Sequence, residues 1–188
     1  MKPGVRVSGG ELRGRGLAVP PGARPTEGRV REALFSIWGE SVAGARVLDL
    51  FAGSGAVGIE AAGRGALDVL AIDDDPRAVR TIAENAARLA AGGVAVRRLR
   101  LPAGLARLAG READPFDLVF ADPPYAFTGY AALLAALVGG PSPLLAPGGD
   151  IAVEHSSRLD LPLEVGPLVR KDVRRYGESS LSFYRRLG

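Results

Sequence analysis

Cysteine is absent from the 188 residues, and histidine occurs once, at His155. Those two gaps exclude disulfides, cysteine zinc sites, thiol nucleophiles and any histidine cluster, so no metal centre is expected. Long apolar runs are missing too: the longest are strand length, and no charged-then-apolar leader is visible. Neither a transmembrane helix nor a signal peptide is therefore expected, and a cytoplasmic protein is the default. Lysine is scarce, with two residues against 22 arginines. Low-complexity segments and internal repeats are lacking as well.

What is present suffices for a buried core. At 47% hydrophobic residues the chain fits one domain of ordinary size. The net charge is only +3, but it is unevenly placed. Residues 1–38 carry seven basic groups against Glu11, Glu27 and Glu32, whereas the remaining 150 residues carry 17 basic and 18 acidic groups. The positive excess thus belongs to one end, the footprint of an arm that meets a nucleic acid. Genome base composition accounts for arginine abundance, though not for its clustering. The division expected is a basic arm and helix over 1–38 and a second region over 39–188, together one compact domain.

Beyond the arm, apolar strand-like runs alternate with helical patterns: strands at 46–51, 68–73, 94–101 and 116–121, and helices from about Val57, from Pro76, over 104–108 and over 130–138. Such alternation is that of a parallel sheet with crossover helices on both faces, an α/β fold. Asp75 before Pro76 supplies an N-cap and a first-turn proline. A strand at 150–154 follows, and the runs 169–176 and 181–186, joined by Gly177-Glu178-Ser179, read as an edge hairpin. Upstream, Thr26 is placed to cap a helix whose apolar face is Val30, Ala33, Leu34, Ile37 and Trp38. Arg29 and Arg31 fall on its other faces.

After the first strand the chain reads Asp49-Leu50-Phe51-Ala52-Gly53-Ser54-Gly55-Ala56-Val57-Gly58. Its glycines let backbone turn sharply beside a ligand, and Asp73 closes the second strand where a carboxylate accepts from both ribose hydroxyls. The glycines alone admit NAD equally well. Asp49 favours S-adenosylmethionine, because a carboxylate there is unfavourable beside a pyrophosphate and favourable beside an ammonium and a sulfonium. Asp49 alternatively satisfies backbone N–H groups of the glycine turn. Asp74 reads as an adenosine contact or a solvated carboxylate.

Asp122-Pro123-Pro124-Tyr125 follows the strand at 116–121. Two prolines stiffen the turn and donate no backbone hydrogen bonds, leaving carbonyls to accept from a ligand. Acceptors beside an aromatic plate suit a planar amine; the alternative is a plain strand-terminating turn. In the common doubly wound strand order, the strands ending near Asp49 and Asp122 flank the point where strand order reverses, which brings both loops to one crevice. Glu154 and His155 read as sheet-end hydrogen-bonders, and Phe35, Trp38 and Phe183 as packing.

The D-x-F-A-G-S-G loop, the acidic end of the second strand and D-P-P-Y together resemble the class I amine-directed methyltransferases, with a Rossmann-like, mostly parallel seven-stranded sheet. Arg6-Val7-Ser8-Gly9-Gly10, Arg13-Gly14-Arg15, and Arg24-Pro25-Thr26 running into Arg29-Val30-Arg31-Glu32-Ala33-Leu34-Phe35 narrow this further. They look like the start of the RsmD-type bacterial 16S ribosomal RNA guanine-N2 methyltransferases, whose closing hairpin Tyr176-Gly177-Glu178 with Tyr184-Arg185-Arg186 resembles. Two departures stand out: Gly28 replaces a polar or acidic residue, and Leu101-Pro102-Ala103 replaces an acidic turn near the cofactor's adenine.

A monomer is expected; the resemblance implies S-adenosylmethionine as cofactor and ribosomal RNA or the small subunit as partner. Asp122 and the Pro123 carbonyl would hold the amine, and Tyr125 would stack on the base. Asp49, Phe51, Ala52, Gly53, Ser54, Gly55, Asp73 and Asp74 would surround the cofactor. Arg13, Arg15, Arg24, Arg29 and Arg31 would hold RNA phosphates, with Thr26 pinning the arm. Alternatives are a DNA or other-RNA adenine-N6 methyltransferase, an NAD-dependent oxidoreductase, and a non-catalytic RNA-binding module.

Overall fold

Near-continuous apolar runs and helical repeats sort themselves here into a sheet clad on both faces. The computed structural model describes residues 4–22, 28–109, 111 and 114–188. In chain order these form β1 (Val5–Arg6), β2 (Gly16–Leu17), α1 (Gly28–Trp38), a 3-10 turn (Gly39–Val42), β3 (Arg46–Leu50), α2 (Ala56–Gly63), β4 (Asp68–Asp73), α3 (Pro76–Leu89) and β5 (Val94–Arg98). Then follow α4 (Leu105–Ala109), β6 (Phe116–Ala121), α5 (Tyr130–Val138), β7 (Leu145–Ser156), β8 (Glu164–Val165), β9 (Leu168–Tyr176) and β10 (Ser179–Arg186).

The main sheet runs β5-β4-β3-β6-β7-β10-β9-β8. β3 to β7 pair in parallel, whereas β10 is antiparallel to both β7 and β9. Eight strands therefore replace the expected seven; the addition is β8, a two-residue strip antiparallel to β9. Two residues are too few to show a period, so no sequence pattern announces it. Strand order reverses between β3 and β6, where Leu50 lies opposite Ala121. That places the ends of both strands at the crevice where open α/β sheets bind ligands.

One face of the sheet packs against α4 and α5 through Leu105, Leu108, Leu133, Leu134 and Leu137. The other packs against α1 and α2 through Val30, Leu34, Phe35, Trp38, Val57 and Ala61. Asp75 caps α3 as its sequence implies, accepting from the Arg77 amide at 2.8 Å.

Helix α1 is turned relative to the expected face. Val30, Arg31, Leu34, Phe35 and Trp38 are buried, and Ile37 is 44% exposed. Arg31, Leu34, Phe35 and Trp38 follow an i, i+3, i+4, i+7 stripe, so the arginine lies on the packed face. Burying each large side chain contributes about 2 kcal/mol, which outweighs the roughly 1 kcal/mol cost of Gly28 in the first turn.

The short β1–β2 hairpin is bound to the body rather than trailing from it. Glu60, fully buried in α2, accepts from the Ser8 amide at 2.9 Å and the Ser8 hydroxyl at 2.6 Å. Asn85 of α3 exchanges two hydrogen bonds with the backbone of Ala18, both at 2.9 Å, and its amide nitrogen also donates to the Ser54 carbonyl at 3.0 Å.

Candidate active site

At the β3–β6 reversal a cleft of about 720 Å³ opens. Its walls combine Phe51 and Gly53 of the glycine loop, Asp73 at the end of β4 with Asp74 after it, Asp122 to Tyr125, and Glu154 to Ser156 at the end of β7. Arg100, Leu101, Phe127, Tyr130 and Ser179 complete it, and Gly22 brings the arm to its rim.

The glycine loop is held from beneath. Asp49 is 1% exposed and does not line the cleft; one of its oxygens accepts from the Gly58 amide at 2.9 Å. Gly58 lies in the first turn of α2, where an N–H lacks an intrahelical acceptor, so Asp49 caps the helix from the strand below. A Cβ at Gly58 would meet Asp49 Oδ2 at 3.2 Å and Val69 at 3.0 Å, which explains the glycine. Burial, opposed by the Gly58 hydrogen bond and aided by the charges of Asp122 and Asp73, pushes the Asp49 carboxyl up from 3.8 to about 7. Gly55 adopts φ 75°, and a Cβ there would lie 2.8 Å from Ile82. Ala52, Ser54 and Gly55 build the turn without forming the cleft wall.

Asp73 joins loop to strand: one oxygen accepts from the Gly53 amide at 2.9 Å, the other from the Asp75 amide at 3.0 Å. Each carboxylate oxygen has a second lone pair for a ribose hydroxyl. Phe51 sits at φ 58°, a conformation unusual for a bulky residue. Its ring meets Phe127 edge-on at 5.4 Å, Phe127 meets Tyr130 at 5.1 Å, and Tyr130 meets His155 at 6.2 Å. The cleft floor is therefore an aromatic chain.

Asp122 begins one residue past the β3–β6 ladder, its amide donating to the Leu50 carbonyl at 3.3 Å. Pro123 is buried, whereas Tyr125 projects with 60% exposure. The Pro124 carbonyl accepts from the Phe127 amide at 2.8 Å, closing the turn. Burial, then the charges of Asp122 and Glu154, raise the Tyr130 hydroxyl above its ordinary 10.0, which keeps it a proton donor beside two carboxylates.

His155 hydrogen-bonds Ser182 Oγ through Nε2 at 2.8 Å and the Ser156 carbonyl through Nδ1 at 2.9 Å. Donation from Nδ1 leaves Nε2 to accept from the serine. Burial holds this imidazole below its ordinary 6.5, so it is neutral near pH 7. The sheet-end hydrogen bonds anticipated for His155 are present, yet both it and Glu154 line the cleft. Their position at a strand's carboxyl end was the available signal for this. Phe127 and Tyr130 also went unassigned, although they follow D-P-P-Y within five residues.

The basic residues separate into two kinds. Arg13, Arg15 and Arg29 are exposed, while Arg24 and Thr26 lie outside the described residues. Arg31 must be removed from the phosphate-facing set: it is 3% exposed, and its Nε donates to Glu60 at 3.0 Å. It also donates to the Arg6 carbonyl. Arg64 adds a second guanidinium to Glu60 at 2.8 Å.

Cofactor geometry is compatible with these walls. A carboxylate at a strand end, backbone amides at the glycine loop, and the apolar Phe51 and Leu101 match the hydroxyls, charge and flat base of an adenosine-bearing ligand. Among the described residues, no group of three or more histidine, cysteine, aspartate or glutamate side chains is placed to hold a metal ion.

A family model described as "Conserved hypothetical protein 95" matches residues 5–185. The Bacillus subtilis (strain 168) protein YlbH is 36% identical over 187 residues, covering 98% of this chain and all of that one. "Ribosomal RNA small subunit methyltransferase D" of Escherichia coli (strain K12) is 41% identical over 123 residues, 64% of this chain and 60% of that one. Among solved structures, yhhF from Escherichia coli superposes with a TM-score of 0.84 at 32% identity, covering 97% of this chain and 98% of that one.

Proposed function

The chain belongs to the family described as conserved hypothetical protein 95, and on that footing we propose that it transfers a methyl group from S-adenosylmethionine to the exocyclic N2 amine of a guanosine in 16S ribosomal RNA. The observation that carries this reading is the meeting of two loops at one cleft. Leu50 ends β3 opposite Ala121, so the glycine loop and Asp122-Pro123-Pro124-Tyr125 diverge from adjacent strand ends.

When bound, S-adenosylmethionine supplies an electrophilic methyl group on a sulfonium. The protein's task is alignment and exclusion of water. Asp73 and the Gly53 region would hold the ribose, with Phe51 and Leu101 as apolar walls. Asp49 would act through the loop, from beneath the α2 N-terminus rather than by contact, with a cationic ligand favouring its charged form.

The N2 lone pair of guanine is delocalised into the ring, so the amine needs orientation. Asp122 and the Pro123 carbonyl would accept its hydrogens and turn the nitrogen toward the methyl group. Asp122 would also accept from N1–H, a donor that adenine lacks. Tyr125, exposed at the rim, would stack on the extruded base. Arg13, Arg15 and Arg29 would hold phosphates and set register.

No helix among the described residues is long and apolar enough to cross a membrane. We place the enzyme in the cytoplasm as a monomer; sedimentation at working concentration checks the oligomeric state. The activity test is methyl transfer to small ribosomal subunits from a strain lacking the protein, followed by nucleoside mass spectrometry. N2-methylguanine is the expected product, and N6-methyladenine or no transfer would overturn the reading.

A further inference from the structure

A second concavity, about 670 Å³, adjoins the cleft and shares His155 with it. It arises from strand register. His155 of β7 lies opposite Ser180 of β10, and Ser180 lies opposite Arg175 of β9. Directly opposed residues share a sheet face, so these three form one row leading away from the cleft along the carboxyl edge of β7. At ordinary strand spacing, Arg175 stands about 10 Å from His155.

The charge of this groove is one-sided. Arg158, Arg170, Arg174 and Arg175 line it, against Asp160 alone. Arg170 is committed to Asp160 at 2.8 Å and to the Leu161 carbonyl at 2.6 Å, and fixes the floor. Arg174 pairs with Asp172 at 2.6 Å. Arg158 is 87% exposed and only 3.9 Å from an equally solvated Glu178, a pair of little strength. Arg175 is exposed, and among the described residues its guanidinium has no hydrogen-bond or ion-pair partner. Between these guanidinium groups lie Leu159, 44% exposed, and Val173, 37% exposed.

We infer that this groove holds the single-stranded RNA flanking the target nucleotide, with Arg158 and Arg175 on phosphates and a neighbouring base resting on Leu159 and Val173. Planar cations beside an apolar floor match the alternation of phosphate and base in an unpaired strand. Continuity through His155 gives the strand a path out of the cleft. The hairpin of Arg13 and Arg15 belongs to the other end of the chain and is bound to α2 and α3, so RNA would be gripped on two separate structures. The inference rests on RNA being the substrate, as proposed above.

The test uses the full chain with Arg158→Gln and Arg175→Gln, singly and combined; both side chains are exposed, and neither belongs to the methyl-transfer machinery. Binding of fluorescein-labelled mixed-sequence single-stranded RNA is measured by anisotropy against salt, alongside S-adenosylmethionine binding as a control on folding. For the double variant we expect RNA affinity to fall about tenfold and the salt slope to decrease by roughly 1.4, at about 0.7 per lost phosphate contact. KM for small subunits should rise with kcat and cofactor affinity unchanged.

Wild-type RNA affinity and salt slope in the double variant would overturn the groove while leaving the methyl-transfer reading intact. Weakened RNA binding in the variants, with no N2-methylguanine formed by the unaltered protein, would support the groove and overturn the proposed target. Unchanged binding to free RNA with impaired transfer to assembled subunits would give the groove to a ribosomal protein and overturn RNA as its occupant.

Discussion

The carboxylate of Asp49 lies 2.9 Å from the amide of Gly58, holding the first turn of α2 to the end of β3 from inside the core. Its pKa of about 7 against an ordinary 3.8 makes this contact pH-dependent. Between those values the unfolded chain has lost its proton while the folded chain keeps it. Unfolding therefore releases a proton, and this group's contribution to stability falls as pH rises from about 4 through about 7. Thermal melts of the wild type and Asp49→Asn should diverge in the variant's favour as pH is raised across that window. Parallel curves would remove Asp49 as the source.

The same carboxyl bears on cofactor binding. A cationic ligand above the loop favours its charged form, so S-adenosylmethionine affinity should increase with pH through about 7. Calorimetry in buffers of different ionisation enthalpy should show proton release on binding. In Asp49→Asn both effects should disappear.

Asp122→Asn should leave cofactor affinity within a factor of about two and lower methyl transfer by about a hundredfold or more, the cost of a misaligned nucleophile. Single-turnover kinetics with equilibrium cofactor binding separate the two. Full-rate transfer in the variant would withdraw Asp122 from amine orientation.

Tyr125→Ala should weaken RNA engagement by about 1 to 3 kcal/mol, the value of one base on an aromatic plate. With 60% of its surface exposed, this side chain holds little of the core, so melting temperature should barely change. Tyr125→Phe, which keeps the plate, should restore RNA affinity.

Arginines of the first 38 residues should divide by burial. Glu60→Ala strands the buried Arg31 guanidinium and should cost about 3 to 5 kcal/mol of stability. Replacing exposed Arg13 and Arg15 with glutamine should leave melting unchanged and flatten the salt dependence of RNA binding. A stability loss from the Arg13 and Arg15 pair, or none from Glu60→Ala, would reverse the assignment.

How much of this was legible depended on how local each signal was. The Asp75-Pro76 cap of α3, the parallel strands and the two loops at the strand-order reversal all announce themselves within a few neighbouring residues, and the structure contains them. Arg31 was not legible as a core residue. The period of α1 admits two faces one position apart, and what selects between them is Glu60, 29 residues away and buried on another helix. Asp49 illustrates the same limit: its residue type suits both a ligand and a helix cap, and only three-dimensional placement shows the capping bond. The groove beside His155 needs the pairing of three strands before its arginines become neighbours, so no linear pattern contains it.

Asn85 holds the Ala18 backbone and the Ser54 carbonyl with one side chain. The arm and the glycine loop thus cannot shift independently: moving one either carries the amide along or breaks its bond to the other. An RNA that settled the arm would therefore act on the glycine loop through this amide, and by reciprocity the cofactor would change RNA affinity by the same factor. Asn85 would then link the two ligands although it does not itself line the cleft.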